Sequence, residues 1–528
     1  MTKAGKYPIT ITYKDYEPIT YNVIVYEPYS ISIGFDAIEK LSSNTAAGNG
    51  VYFNHHVRTI YKLGEALDLT GLSVTIFGEG PSEDDLMFDL VTDYEVSAFD
   101  PNVLGPQTIT VSYRNLSDSF VVYVVETEIA EGNKVMVDDD YAGEIGAIVD
   151  GYNMFATVNQ ALEFLERAPA AEQKLLVIAE GYYEEKLEVT IPNLTIRGAG
   201  ADKTVIEWDS LYGLMDASQF IHTTDSTATV AIRESAVNCV IEDITISNYW
   251  NTQERMNEAG LAIERGLALL VQADRFIMKN SKLLGIQDTL ELFTGRQYFE
   301  NVFISGYTDF IFGTNNTTYF KNCTIHVIDT VKDDQGTAGY ITAFKGSNKG
   351  ESDAITYGAI FDGCKFTADE GVTEGCTAIG RPWGVYAAVA VMNSELGGHI
   401  STKGFTGGKN ERYVSMTGKP TDETVQYVEY NNTGAGAITE AVAGMRMLTA
   451  EEAAMYADFE VIFGKTNRNV TYLDPWNPMS EEVVVDDRTY YYFNGTTGTT
   501  GTYYTYDQNL QGTTGTFGEI AIDATAGK

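Results

Sequence analysis

The feature that most restricts what this chain can fold into is a short repeat in its second half. IEDI (241–244), MKNS (278–281), FENV (299–302), FKNC (320–323) and FDGC (361–364) share one pattern: apolar, polar, then Asn, Asp or Gly, then small or apolar. The steps from 278 to 299 and from 299 to 320 are both 21 residues. The step from 320 to 361 is 41, near two such periods, and 241 to 278 is a less regular 37. Short β-type runs at this period cannot bury an apolar face singly, so successive units must stack. The expected fold is all-β, a right-handed single-stranded parallel β-helix. Asn280, Asn301 and Asn322 then form a side-chain ladder at the corners, and Cys323 and Cys364 point inward as buried structural thiols.

The same period governs two aspartates in GIQDTLELFTGRQYFENVFISGYTDFIFG (285–313). Asp309 lies 21 residues beyond Asp288. One solenoid turn advances by a strand spacing of about 4.8 Å, so the two carboxylates are expected on neighbouring turns, roughly 5 Å apart. Two like charges at that distance cost roughly 3 kcal/mol at an effective dielectric near 20, on the order of two pKa units. Equal ionisation is then disfavoured: one carboxylate stays anionic if a cation serves it, and the other keeps its proton. The candidate cation is Arg381 in GRPWG (380–384), read as three to four periods beyond Asp309. Pro382 stiffens that loop, and Trp383 adds a flat apolar face of the kind that stacks on sugar rings. A single Asp on a solenoid is ordinarily a turn or solvated residue. The aligned pair beside Gln287, with GRPW downstream, is what sets these two apart.

Bulk properties exclude several function classes. At 528 residues the chain exceeds one ordinary core. A net charge of −39 argues against nucleic acid and anionic lipid as partners. It also favours a polymer with masked carboxylates over a heavily anionic ligand. No run of 18 apolar residues is present, so no membrane insertion is expected. Four cysteines do not make a disulfide framework. A Ser-His-Asp hydrolase is disfavoured by the lack of G-x-S-x-G, and the adjacent His55 and His56 lack zinc-ligand spacing.

The N-terminal part is a different object. Gly5-x-x-x-Ile9-Thr10-Ile11-Thr12-Tyr13 recurs as Gly105-x-x-x-Ile109-Thr110-Val111-Ser112-Tyr113, and each copy is followed by a second alternating run, YNVIVYE and FVVYVVE. Alternation reads as half-buried antiparallel strands, and the offset of 100 suits an immunoglobulin-like sandwich. YKLGEALDLTGLSVTIF resembles the start of bacterial immunoglobulin-like modules of surface proteins. Expected domains are residues 1–28 as the end strands of a truncated module, 29–128 as a sandwich, 129–150 as an acidic linker, and 151–478 as the β-helix. The Thr/Gly/Tyr-rich stretch 479–528 reads as a tail or the start of a further module. The chain is thus expected to be part of a larger multimodular protein.

Three blocks, QDTL (287–290), the G-x-x-DFIFG run (306–313) and GRPW (380–383), resemble the signatures of pectin methylesterases, carbohydrate esterase family 8. FATVNQAL, VIAEGYYEEKLEV, LTIRGAGADKTVI, YVEYNNTGAGA and LTAEEAAMY are similar to other family segments, so the resemblance covers about residues 150–478. It implies that Asp309 is the nucleophile on the methyl-ester carbonyl and Asp288 the general acid and base. Gln287 is then the oxyanion donor, and Arg381 holds Asp309 ionised. Phe312 and Trp383 line the sugar groove. No metal or organic cofactor is implied, and the implied partner is methyl-esterified homogalacturonan. Arg265 stands where the family carries a second oxyanion glutamine, and is expected either to serve the oxyanion or to block the pocket. Glu291 and Tyr307 replace a usual Tyr and a usual Thr or Ser, which alters sugar contacts. The start of the chain lacks an apolar signal core, which by itself points to the cytoplasm. The modules and the plant polymer point instead to a secreted or cell-surface bacterial protein.

Two rivals are a polygalacturonase, which also clusters aspartates, and a pectate lyase, which needs calcium and a basic residue. Neither explains QDTL together with GRPW. A third, of another class, is a non-catalytic pectin-binding β-helix in which Arg265 has cost the site its turnover.

Overall fold

The structure is a computed structural model. It describes residues 5–11, 19–25, 27–34, 58–70, 72–79, 86–90, 92–126, 132–212, 223–248, 250, 263–314, 316–329, 339–345, 356–384, 386–404, 411–413, 425–464, 466–467, 470–472, 474–479, 482–485, 488–491, 502–505 and 513–516. His55, His56 and most of the stretch read as a tail lie outside these residues. The chain divides into two units, one holding the described residues up to 126 and the other those from 132 onward.

In the first unit a four-stranded sheet joins Ile60–Lys62, Leu116–Val125, Gly105–Tyr113 and Glu95–Val96. A three-stranded sheet joins Glu27–Gly34, Ser73–Glu79 and Leu86–Leu90. The alternation in FVVYVV does what its period requires: Phe120, Val122 and Val124 turn inward beside Ile109, Val111 and Tyr61, with Val74 from the second sheet in the same cluster. Gly5–Ile11 and Ile19–Val25, the copy of this hairpin, pair antiparallel as a separate two-stranded sheet.

The second unit is a parallel β-helix. Three walls of 13, 8 and 7 strands run through it. All their pairings are parallel except the one between Ile148–Val149 and Tyr152–Phe155 at one end. Lys134–Val137, inside the stretch read as a linker, already pairs parallel with Lys174–Ile178. Its KVMV alternates in burial, so the acidic flanks that suggested a linker surround a true strand.

The repeat sets the corner of seven successive turns. Asp243, Asn280, Asn301, Asn322, Gly363, Asn393 and Asn431 all have φ between 48° and 67°. Only Gly, Asn and Asp enter this left-handed region at little cost, which is why the pattern carries them there. The amides partly ladder: Asn301 Nδ2 donates to Asn280 Oδ1 at 3.3 Å, and Asn431 Nδ2 to Asn393 Oδ1 at 3.0 Å. Behind the corner, Phe299, Phe320 and Phe361 stack with centroids 4.9 and 4.7 Å apart, fully buried. Truncating rings of this kind costs about 3–5 kcal/mol each. Cys323 and Cys364 sit in the interior as free thiols.

Two spacings read from sequence need correction. Phe320 pairs directly with Phe361, so the 41-residue step is one turn carrying a long insertion, not two periods. Ile241 likewise pairs directly with Met278. Insertions leave a parallel wall without adding a strand to it, so a long step does not count turns.

Outside the walls, the helix Ala450–Tyr456 opens with the capping box of Thr449 and Glu452. It and Phe459–Ile462 pack on Tyr298, Tyr319 and Tyr357. Arg296, fully buried, donates to both Asp274 oxygens and to the carbonyls of Phe463 and Asp474. That guanidinium ties the segment around 463–474 to the helix wall.

Candidate active site

The site lies on the outer face of the seven-stranded wall. Its last five strands are Leu269–Val271, Leu290–Leu292, Ile311–Gly313, Tyr340–Phe344 and Ala378–Gly380, each paired parallel with the next. Leu269, Leu290 and Ile311 stack inward with no exposure. Alternation therefore turns Leu270, Glu291, Phe312 and Ala343 outward in one row.

Asp288 and Asp309 occupy the corner just before this wall. Leu290 opposes Ile311, and Gln287 bridges to Thr308, so the two aspartates are in register on consecutive turns. Both have positive φ, 63° and 51°. An aspartate tolerates that conformation better than most residues, so the corner that needs a left-handed residue receives a carboxylate. Their backbones are fixed: the Asp288 amide donates to Thr308 O at 3.2 Å and the Asp309 amide to Tyr340 O at 2.6 Å.

Arg381 approaches from only two strands beyond, not three to four periods, because the chain between holds long insertions. Its Nε donates to Asp309 Oδ1 at 2.7 Å, and its Nη2 donates to Oδ2, a bidentate pair. The guanidinium lies over the Tyr340 ring at 4.1 Å. Both glycines of GRPWG are steric requirements of this placement. A Cβ on Gly380 would lie 2.3 Å from Thr342 Oγ1, and one on Gly384 would lie 1.9 Å from Lys345 O. The Arg381 amide donates to Thr342 O at 3.0 Å, so the loop is bound to the neighbouring turn at each end.

The two carboxyls differ in surroundings. Burial pushes Asp288 well above the ordinary carboxylate range, and the Asp309 charge adds to it, against the pull of Arg265 and Arg381. Asp309 is also raised by burial, but the hydrogen bonds and charge of Arg381 work directly against that rise. The site thus has one carboxyl held toward its acid and one paired with a cation, the separation that acid–base and nucleophilic roles require.

Gln287 is half-buried, and among the described residues its side-chain amide has no protein partner. Arg265 bridges to Gln287 through the backbone, so it stands one turn before the aspartate pair. Its guanidinium, however, lies over the Tyr212 ring at 3.6 Å, and Nη1 donates to Thr224 Oγ1 at 3.3 Å. Trp383 is 49% exposed and Phe312 half-buried, both near Arg381 in the chain or in the row. Tyr307 is half-buried, its amide donating to Ile286 O at 2.6 Å. Glu291 is 7% exposed. Sequence reading missed Tyr340 and Tyr212. Each touches an arginine of the site from a stretch without a motif: Tyr340 is brought in by the register of its strand, and Tyr212 by its amide, which donates to Arg265 O at 2.8 Å.

The Pectinesterase family model matches residues 145–466, and that of the Bacterial Ig-like domain (group 3) matches residues 57–124. A probable pectinesterase/pectinesterase inhibitor of Brassica napus is 30% identical over 301 residues, 55% of this chain and 46% of that protein. Pectinesterase 5 of Arabidopsis thaliana is 30% identical over 321 residues, 59% of this chain and 48% of that protein. The chain spans about half the length of the curated relatives it matches. A solved pectin methylesterase from Erwinia chrysanthemi aligns with a TM-score of 0.51 at 23% identity, over 64% of this chain and 98% of that one. That likeness is one of fold, the parallel β-helix.

Proposed function

The chain belongs to the pectinesterase family, and from that membership we propose that it hydrolyses galacturonate methyl esters in pectin, releasing methanol and free carboxylate. The Asp309 carboxylate attacks the ester carbonyl carbon. The oxygen that becomes negative accepts a hydrogen bond from the Gln287 amide. As the C–O bond to the methoxy group breaks, Asp288 gives its proton to the departing methanol. An acyl–Asp309 anhydride remains. Asp288, now a carboxylate, takes a proton from water, and the hydroxide adds to the anhydride. The product leaves as galacturonic acid and gives its carboxyl proton to bulk water, Asp309 is again anionic, and Asp288 is again protonated.

Arg381 positions and charges Asp309 in this scheme. Trp383, Phe312, Tyr307 and Glu291 contact the sugar chain. Arg265, in the place of a second oxyanion donor, has enough N–H groups for that task. The first unit serves as a spacer holding the enzyme off a surface, in a secreted or cell-surface multimodular protein.

The observation that carries the reading is the aligned aspartate pair in unequal surroundings, with Arg381 bidentate on one member alone. It is tested by incubating the purified chain with esterified pectin. Methanol should appear without new reducing ends and without unsaturated product. New reducing ends would identify a glycosidase, and unsaturated ends a lyase. One observation favours a second reading, a pectin-binding helix without turnover: Arg265 is engaged by Tyr212 and Thr224. Binding of esterified pectin with no methanol over a wide pH range would establish that alternative.

A further inference from the structure

Glu291 is anomalous in the outward row. Its neighbours there are Leu270 and Phe312, with Ala231 and Phe293 in the same apolar cluster. Its Oε2 is buried and, among the described residues, has no hydrogen-bond partner. The cations nearby are engaged elsewhere: Arg233 with Glu188, Arg381 with Asp309, and Arg265 on Tyr212. A carboxyl so placed has no reason in the packing of the wall, because an apolar residue would fill the row without leaving a polar atom unpaired.

Resting on the esterase reading, we propose that Glu291 reads the substituent on the sugar beside the one being hydrolysed, and selects a methyl ester over a free carboxylate. The argument is one of matching chemistry. Burial pushes Glu291 well above the ordinary carboxylate range, and the neighbouring carboxyls of Asp225 and Asp288 add to that. The neutral acid has an O–H to donate and, among the described residues, no acceptor for it. An ester carbonyl supplies the acceptor, and its methyl group meets the half-buried Phe312. A galacturonate carboxylate arriving there loses its water against apolar side chains. It finds no unengaged cation among the described residues, and three carboxyls, Asp225, Asp288 and Glu291, surround it. The groove therefore favours runs of esterified sugars.

The test compares kcat/KM for methanol release, per ester, on two galacturonate oligomers of equal length. One is fully methyl-esterified, and the other bears a single ester flanked by free acids. The wild-type chain should prefer the first by about tenfold or more. Glu291→Gln removes the acid but keeps the shape, and its amide can donate to a carboxylate, so the preference should narrow several-fold. Glu291→Lys should reverse it. If the lysine variant does not fold, the glutamine variant alone decides. An unchanged ratio in Glu291→Gln, or equal rates in the wild type, would overturn the assignment to Glu291 while leaving the esterase reading intact. No methanol from either oligomer with the wild type would defeat the esterase reading itself, and this inference with it.

Discussion

Replacing Asp309 with Ala should lower methanol release from esterified pectin by at least about 10⁴-fold, because the variant has no atom able to form the acyl intermediate. Substrate binding should change far less, since the apolar row and Trp383 remain. The variant should also lose stability. Arg381 donates two hydrogen bonds to Asp309, whose side chain is 3% exposed against 18% for the arginine. Breaking a fully buried pair costs about 3–5 kcal/mol, and the partial exposure of Arg381 reduces that to about 2 kcal/mol. Asp309→Asn separates the effects, keeping most contacts and removing the nucleophile. Activity within tenfold of wild type in either variant would dismiss Asp309 as nucleophile.

Asp288→Asn is expected to cut activity by about 10²–10⁴-fold through loss of the general acid. It should act in the opposite direction on stability. A carboxyl whose pKa is raised by folding binds its proton more tightly in the native state, so its contribution is lost as pH rises through the folded value. Below about pH 4 the acid is protonated in native and unfolded chains alike, and the variant should gain nothing. Above that the gain should grow with pH, seen as a rising difference in urea midpoint between variant and wild type. The wild-type rate should follow from the same signs. It falls on the acid side as Asp309 takes a proton, and on the alkaline side as Asp288 loses one. In Asp288→Asn the alkaline limb should vanish from the residual activity. A profile flat down to about pH 3, or an Asp288→Asn variant less stable at every pH, would contradict the assigned protonation states.

How much of this was readable from sequence depends on where insertions fall. Residues 278 to 320 run through turns without insertions, so the 21-residue period aligns Asp288 with Asp309 directly. The same rule misplaces Arg381 by more than a turn, because Ile311 pairs directly with Thr342 and Thr342 with Gly380, steps of 31 and 38 residues instead of 21. Pairing, not residue count, sets axial position. Lys134–Val137 reads as linker from sequence because its acidic surroundings mask a four-residue alternation, too short to stand out without its partner Lys174–Ile178. The backbone position of Arg265 was legible from its offset to Gln287, but its side-chain direction was not. That direction depends on Tyr212, which lies 53 residues earlier and enters no motif.

The most direct measurement is infrared difference spectroscopy on the resting chain near neutral pH, comparing wild type with Asp288→Asn and with Asp309→Asn. Removing Asp288 should delete a protonated-carboxyl band, and removing Asp309 should delete an ionised-carboxylate band. Loss of the same kind of band in both variants would mean that this wall does not make an acid and a nucleophile out of one residue type.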